Sequence, residues 1–178
     1  MDIYTRCGDD GSTGLLFGGR VSKGSERPVA YGAVDEAQAA IGLARAQCND
    51  AELDGMLIQV SRDLYVAMSE LATLDENRSK LKAIVTSEMV SELETNIDEF
   101  TGRFEPPTEF SIPGDNPSSA ALDFARTVVR RAERNAVTVS HGDSNVVPYL
   151  NRLSDFLWAL ARWQEDAFLP AKNRGIEG

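Results

Sequence analysis

Histidine occurs once in the 178-residue chain and cysteine twice, and no stretch reaches the roughly 18 consecutive apolar residues of a membrane span. Each shortage removes a class of chemistry. The sole histidine, His141, stands in the turn-like run HisGlyAspSerAsn (141–145) rather than on a patterned helix face, so a turn residue is its plain reading. Cys7 and Cys48 lack metal-type spacing, and no nucleophile elbow, zinc pattern or Glu-x-x-His pair is present. That disfavours a ferritin-like di-metal centre. Two unclustered cysteines fit a reduced compartment, and the first residues lack the apolar run of a secretory signal, so the expectation is a cytoplasmic protein. Basic residues are also short: 18 Lys and Arg face 28 Asp and Glu, for a net charge of −10. Such a chain does not bind nucleic acid or an anionic membrane non-specifically. Any phosphate site must be a local positive patch in an acidic field.

What is present reads as helix. With 42% hydrophobic and 26% charged residues, the chain is globular, and its length suits one domain. Apolar residues recur at spacings of three and four over about 28–48, 51–74, 87–102, 117–139 and 146–168. Asp50, Thr86 and Asn116 stand where N-caps belong, Pro117 suits a first helical position, Gly102 closes the third helix, and Leu169 with Pro170 closes the fifth. Residues 74–82 form a polar connection. With no convincing strand, the expectation is an all-α, five-helix up-down bundle spanning 27–170, with a glycine-rich loop at 1–26 and a flexible tail at 171–178. Alanines crowd the first and fourth helices, which allows close helix contacts, within one chain or between subunits.

Two stretches carry chemistry. Residues 1–26 hold six of the 14 glycines, interleaved with Asp9, Asp10, Ser12 and Thr13 and followed by Arg20 and Lys23. A phosphate cradle needs small residues, hydroxyls and a cation, and all are here; the spacing is neither a Walker A nor GxGxxG, and a surface loop has the same composition. The fourth helix sets Arg126, Arg130 and Arg134 four apart, with Glu133 beside them, nearly opposite the alanine face. Three guanidiniums on one stripe repel unless anions meet them. They form either a solvated face with ordinary ion pairs or a polyanion site using planar, bidentate donors. Asp35 and Glu36 in the first helix, and Asn151, Arg152 and Asp155 in the last, read by themselves as polar surface.

Together these blocks resemble one family. TRCGDDGSTGLLFGGRVSK is similar to a T-x-T-G-D-x-G-x-T loop followed by Gly-x-Arg-x-x-Lys. AYGAVDEAQAAIGLAR resembles Y-G-x-V-D-E-L-N-x-x-I-G. FSIPGDNPSSAALDFARTVVRRAER and LNRLSDFLWALAR resemble F-x-x-P-G-G…A-R-x-x-x-R-R-A-E-R and L-N-R-L-S-D. The family is the ATP:cob(I)alamin (corrinoid) adenosyltransferases of the trimeric propanediol-utilisation type, and the resemblance runs from about Ile3 to Arg162. It implies a homotrimer with ATP and corrinoid at each subunit interface, and transfer of the 5′-deoxyadenosyl group of ATP to cob(I)alamin. It also implies Mg²⁺ held mainly through the ATP phosphates, a cob(II)alamin reductase upstream and an adenosylcobalamin-dependent enzyme downstream.

Carried over by position, the resemblance implies that Thr5, Arg6, Gly8, Asp9, Gly11, Ser12 and Thr13 wrap the triphosphate, with Arg20 and Lys23 nearby. Arg130, Glu133 and Asn151 hold the nucleotide and Arg134 supports them. Asp35 pairs with Arg126 across the subunit interface, and Phe110 covers the lower face of the cobalt. Three departures stand out: Arg6-Cys7 in place of Lys-Thr, Gly114-Asp115 in place of Gly-Gly, and Gln38 in place of Asn. A non-catalytic, nucleotide-binding corrinoid carrier on the same bundle is the competing expectation.

Overall fold

The computed structural model describes residues 3–140 and 142–171; His141 and the tail expected beyond Ala171 lie outside these residues. Five long helices follow the apolar periodicity: α1 (Glu26–Gln47), α2 (Ala51–Leu71), α3 (Ser87–Thr101), α4 (Pro117–Ala136) and α5 (Val146–Trp163). The caps fall where the sequence puts them. Asp50 accepts from Leu53 N, Thr86 from Met89 N and Asn116 from Ser119 N, each satisfying an otherwise orphaned helix donor. The 74–82 connection contains a 3-10 helix, Asp75–Lys80.

Helix α1 packs on α2 and α4, and α5 packs on α4 and α3. The alanine faces let α1 and α4 approach closely, while Ile41, Leu57, Leu64, Leu122, Leu153 and Leu157 fill the middle and are fully buried. Among the described residues no helix is long and apolar enough to cross a membrane.

Two expectations are corrected. The glycine-rich segment is not strandless: β1 (Ser12–Gly14) pairs antiparallel with β2 (Arg20–Ser22), with Thr13 opposite Val21. Phe17, Gly18 and Gly19 turn the chain between them at φ 62°, 108° and 90°, a left-handed run in which glycine costs nothing and Phe17 is strained. Leu16 N donates to Ala72 O at 3.0 Å, pinning the hairpin to the end of α2. The second correction concerns the last helix, which stops at Trp163 rather than near 168. Asn116 Nδ2 donates to Gln164 O at 2.6 Å, so the cap residue of α4 satisfies a carbonyl at the end of α5. Leu169 and Pro170 instead lie beside the segment before α4. Ile112 N donates to Leu169 O at 2.9 Å, and Ala171 N donates to Phe110 O at 2.8 Å. This strap fixes the backbone of Phe110.

Candidate functional site

The expected residues fall into two groups. In the N-terminal group, Asp10 accepts from Ser12 N at 2.9 Å and from Ser12 Oγ at 2.8 Å. The bond from Ser12 N, then that from its hydroxyl, hold the Asp10 carboxyl below its ordinary value, and the Arg20 charge adds to this. Arg20 closes the loop, donating from Nε to Ser12 Oγ at 3.1 Å and from Nη2 to Cys7 O at 2.6 Å. Lys23 N donates to Gly11 O at 2.9 Å. Its ammonium lies against Gly8, where a Cβ would stand 3.1 Å from both Lys23 Nζ and Ser12 O. Gly8 therefore keeps cation and backbone together. Gly11 sits at φ 82°. Thr5, Arg6 and Asp9 are exposed, Arg6 at φ 59° with its guanidinium 5.5 Å from the Tyr4 ring centre, and Thr13 is half-buried.

The second group lies on α4 and α5. Arg130 is exposed, and among the described residues its side chain has no hydrogen-bond or ion-pair partner. The neighbouring cations are occupied. Arg126 Nε meets Asp123 at 3.0 Å, Arg131 pairs with Glu36, and Arg134 Nη1 donates to Arg130 O at 3.0 Å. Glu133 accepts from Asn151 Nδ2 at 3.0 Å, which joins α4 to α5 at the expected nucleotide residues. Arg152 donates to Asn151 Oδ1 at 2.8 Å and to Glu94 at 2.8 Å. It therefore braces Asn151, a role that a polar helix face did not suggest.

A cavity of about 460 Å³ opens beside the strap, with Phe110, Ser111, Pro113, Arg126, Trp158 and Arg162 among its lining residues. Phe110 is 87% exposed, unusual for a ring of its size. Asp115 does not line this cavity: its carboxylate accepts from Asp166 N at 2.9 Å and helps hold the chain after α5.

Within one chain Asp35 is exposed and has no partner among the described residues, so it and Arg126 are not brought together. Nor does any hydrogen bond or ion pair among the described residues join the Thr5–Lys23 loop to Arg130, Glu133, Arg134 or Asn151.

A family model described as cobalamin adenosyltransferase matches residues 3–164, which takes in both groups. The chain belongs to the cobalamin adenosyltransferase family. It is 41% identical over 169 residues to corrinoid adenosyltransferase PduO of Salmonella typhimurium, covering 93% of this chain and 50% of that protein. The corrinoid adenosyltransferase of Bacillus subtilis is 38% identical over 169 residues, covering 91% of this chain and 86% of that one. The chain thus spans about half the length of the PduO relative, and most of the shorter one. Among solved structures, a variant PduO-type ATP:corrinoid adenosyltransferase from Lactobacillus reuteri, complexed with cobalamin and ATP, superposes with a TM-score of 0.89. The two are 28% identical, with 97% of each chain covered.

Sequence reasoning about this cobalamin adenosyltransferase family member passed over Asp123, Trp158 and Arg162. Asp123 stands three residues before Arg126, which is ion-pair spacing on a helix. That was the available signal. Arg162, 39 residues further along, gave none.

Proposed function

We propose that this chain is an ATP:cob(I)alamin adenosyltransferase that works as a homotrimer in the cytoplasm, with ATP and corrinoid meeting at subunit interfaces. The observation that carries the reading is Arg130, an exposed guanidinium without a side-chain partner among the described residues, on a helix that one turn earlier sets Arg126 in the wall of the Phe110 cavity.

The cobalt lone pair of cob(I)alamin attacks C5′ of ATP. The Co–C bond forms as the C5′–O bond breaks, triphosphate leaves with the bonding electrons, and the metal is formally oxidised from Co(I) to Co(III). No protein base is needed, because the nucleophile carries its own electron pair. The chain's work is to hold the two substrates in line and to meet the charge growing on triphosphate. Arg130, Lys23, Arg20 and the backbone of the Gly8–Thr13 loop do the latter, with Thr5, Arg6 and Asp9 flanking and Arg134 supporting Arg130. Glu133 and Asn151 hold the nucleoside. Phe110 occupies the face of cobalt opposite the new bond, and excluding a lower axial ligand eases reduction from Co(II).

Mg²⁺ keeps several waters and takes phosphate oxygens with one or two carboxylates. Among the described residues no group of three or more His, Cys, Asp or Glu could hold a metal by itself, and Asp10 is engaged with Ser12 and Arg20. The residues fit an ion carried mainly by the triphosphate, with Asp9 the nearby carboxylate. When bound, the ion neutralises charge on the phosphate oxygens.

The test is anaerobic turnover of chemically reduced cob(I)alamin with ATP and Mg²⁺, followed by the absorbance change as the Co–C bond forms. Adenosylcobalamin and free triphosphate are the expected products. ATP bound without turnover would favour the carrier, and no ATP binding would leave only a helical scaffold.

A further inference from the structure

Behind the Phe110 cavity lies a buried charge cluster that the proposed transfer does not use. The side chains of Asp123, Arg162 and Glu165 are 4%, 4% and 6% exposed. Asp123 divides its carboxylate: Oδ1 accepts from Arg126 Nε at 3.0 Å, and Oδ2 from Arg162 Nη2 at 2.5 Å. Arg162 Nη2 also donates to Glu165 at 2.6 Å, while its buried Nε has no partner among the described residues. Two carboxylates and a guanidinium buried together are costly to desolvate, and apolar residues of the same volume would serve the core as well. Such a cluster is better explained by what it orients. Asp123 and both arginines line the cavity wall.

We infer that Asp123 is a positioning residue for the corrinoid: anchored by Arg162, it fixes Arg126 through Nε and leaves the two terminal nitrogens of Arg126 for the incoming ligand and for Asp35 of a neighbouring copy. This rests on the adenosyltransferase reading above. The physical gain is preorganisation. An arginine side chain is rich in rotamers, and one already held by a carboxylate on its own helix loses less freedom when the ligand arrives. Both carboxylate oxygens of Asp123 are already taken, by Arg126 and Arg162, so it acts through Arg126. Among the described residues the nucleotide residues Glu133 and Asn151 share no bond with this cluster, so the effect belongs to one substrate.

Asp123→Asn keeps the shape and removes the charge. The expected result is a KM for cob(I)alamin raised about tenfold, a KM for ATP within about twofold of wild type, and a nearly unchanged kcat. Combined with Arg126→Ala, it should raise the cobalamin KM no further than Arg126→Ala alone. Equal rises in both KM values, or full additivity in the double variant, would overturn the assignment. If Asp123→Asn does not fold, the Arg126 Nε–H signal of the wild-type protein decides, assigned by its loss in Arg126→Lys. Slow exchange with solvent supports the anchor, and fast exchange overturns it. Wild-type protein that makes no adenosylcobalamin, yet shows the slow Nε–H, overturns the activity reading and leaves the anchor standing.

Discussion

Arg130 and Arg126 sit one helical turn apart, and their different surroundings assign them different work. Arg126 has a carboxylate in its own helix, whereas Arg130 faces solvent with nothing of opposite charge bonded to it among the described residues. A lone exposed cation adds little to folding but is ready for an anion. Arg130→Ala should therefore lower kcat/KM by about 10²–10³-fold, the usual cost of removing one preorganised donor from a developing charge. Its melting temperature should stay within about 2 °C of wild type, as for most surface changes. Steady-state kinetics with a thermal melt checks both; near-wild-type turnover would remove Arg130 from the mechanism. The arginine stripe itself was legible in the sequence through its spacing of four. Which of its members lacked a partner was only half legible: Asp123 stands at ion-pair spacing from Arg126, but that Arg134 turns back to Arg130 O, and that Glu36 meets Arg131 rather than Arg130, shows only once α1 packs on α4 and the side chains are placed.

At the level of elements, one residue joins the start of α4 to the end of α5. Asn116 caps Ser119 N at 2.9 Å and also donates to Gln164 O at 2.6 Å. Asn116→Ala should cost about 1 kcal/mol for the cap and about 1 kcal/mol for the second bond, lowering the melting temperature by roughly 4–8 °C. KM values measured at 25 °C should hold. A smaller shift would mean that solvent replaces the bond to Gln164. The groove between α2 and α3 carries a different signature. Burial holds the Asp63 carboxyl above its ordinary 3.8, Glu92 adds to this, and hydrogen bonds from Tyr149 and Gln59 oppose it. The folded state then binds that proton more tightly than the unfolded chain does, so stability from Asp63 is present below pH 3.8 and is lost as pH rises through the folded value. Asp63→Asn, which keeps an acceptor for Tyr149 Oη, should raise the melting temperature near pH 7 by about 2 °C. The gain should vanish toward pH 3.5, and an advantage that persisted there would contradict the desolvation account. The five helices were legible because each has an apolar face with a period of 3.6 residues. The hairpin was not: its strands are three residues long, carry no buried stripe, and depend on a bond from Leu16 to the end of α2. The early stop of α5 was equally hidden, since the carbonyl of Gln164 is satisfied by a residue 48 positions earlier.

For the whole molecule, the separation of the two groups of site residues matters most. The glycine-rich loop is tied to its own hairpin and to α2, while Glu133 and Asn151 are tied to each other, and no bond among the described residues links the two sets. If the chain works as the proposed homotrimer with sites between copies, the loop of one subunit would complete the arginine stripe of the next. Two defective variants can then repair each other. Lys23→Ala damages the loop and leaves α4 intact; Arg130→Ala does the reverse. In trimers assembled at random from equal amounts of the two, a given interface takes an intact loop from one subunit and an intact Arg130 from its neighbour about one time in four, so co-expressed and co-purified mixtures should recover about a quarter of wild-type turnover. If each chain builds its whole site alone, every site in the mixture carries one defect and nothing is recovered. A net charge of −10 per chain would put about −30 on the proposed trimer, so cations gathered at its interfaces would have to hold ATP against a repelling field. Rescue by mixing, confined to fractions that sediment as trimers, would place those cations on two chains.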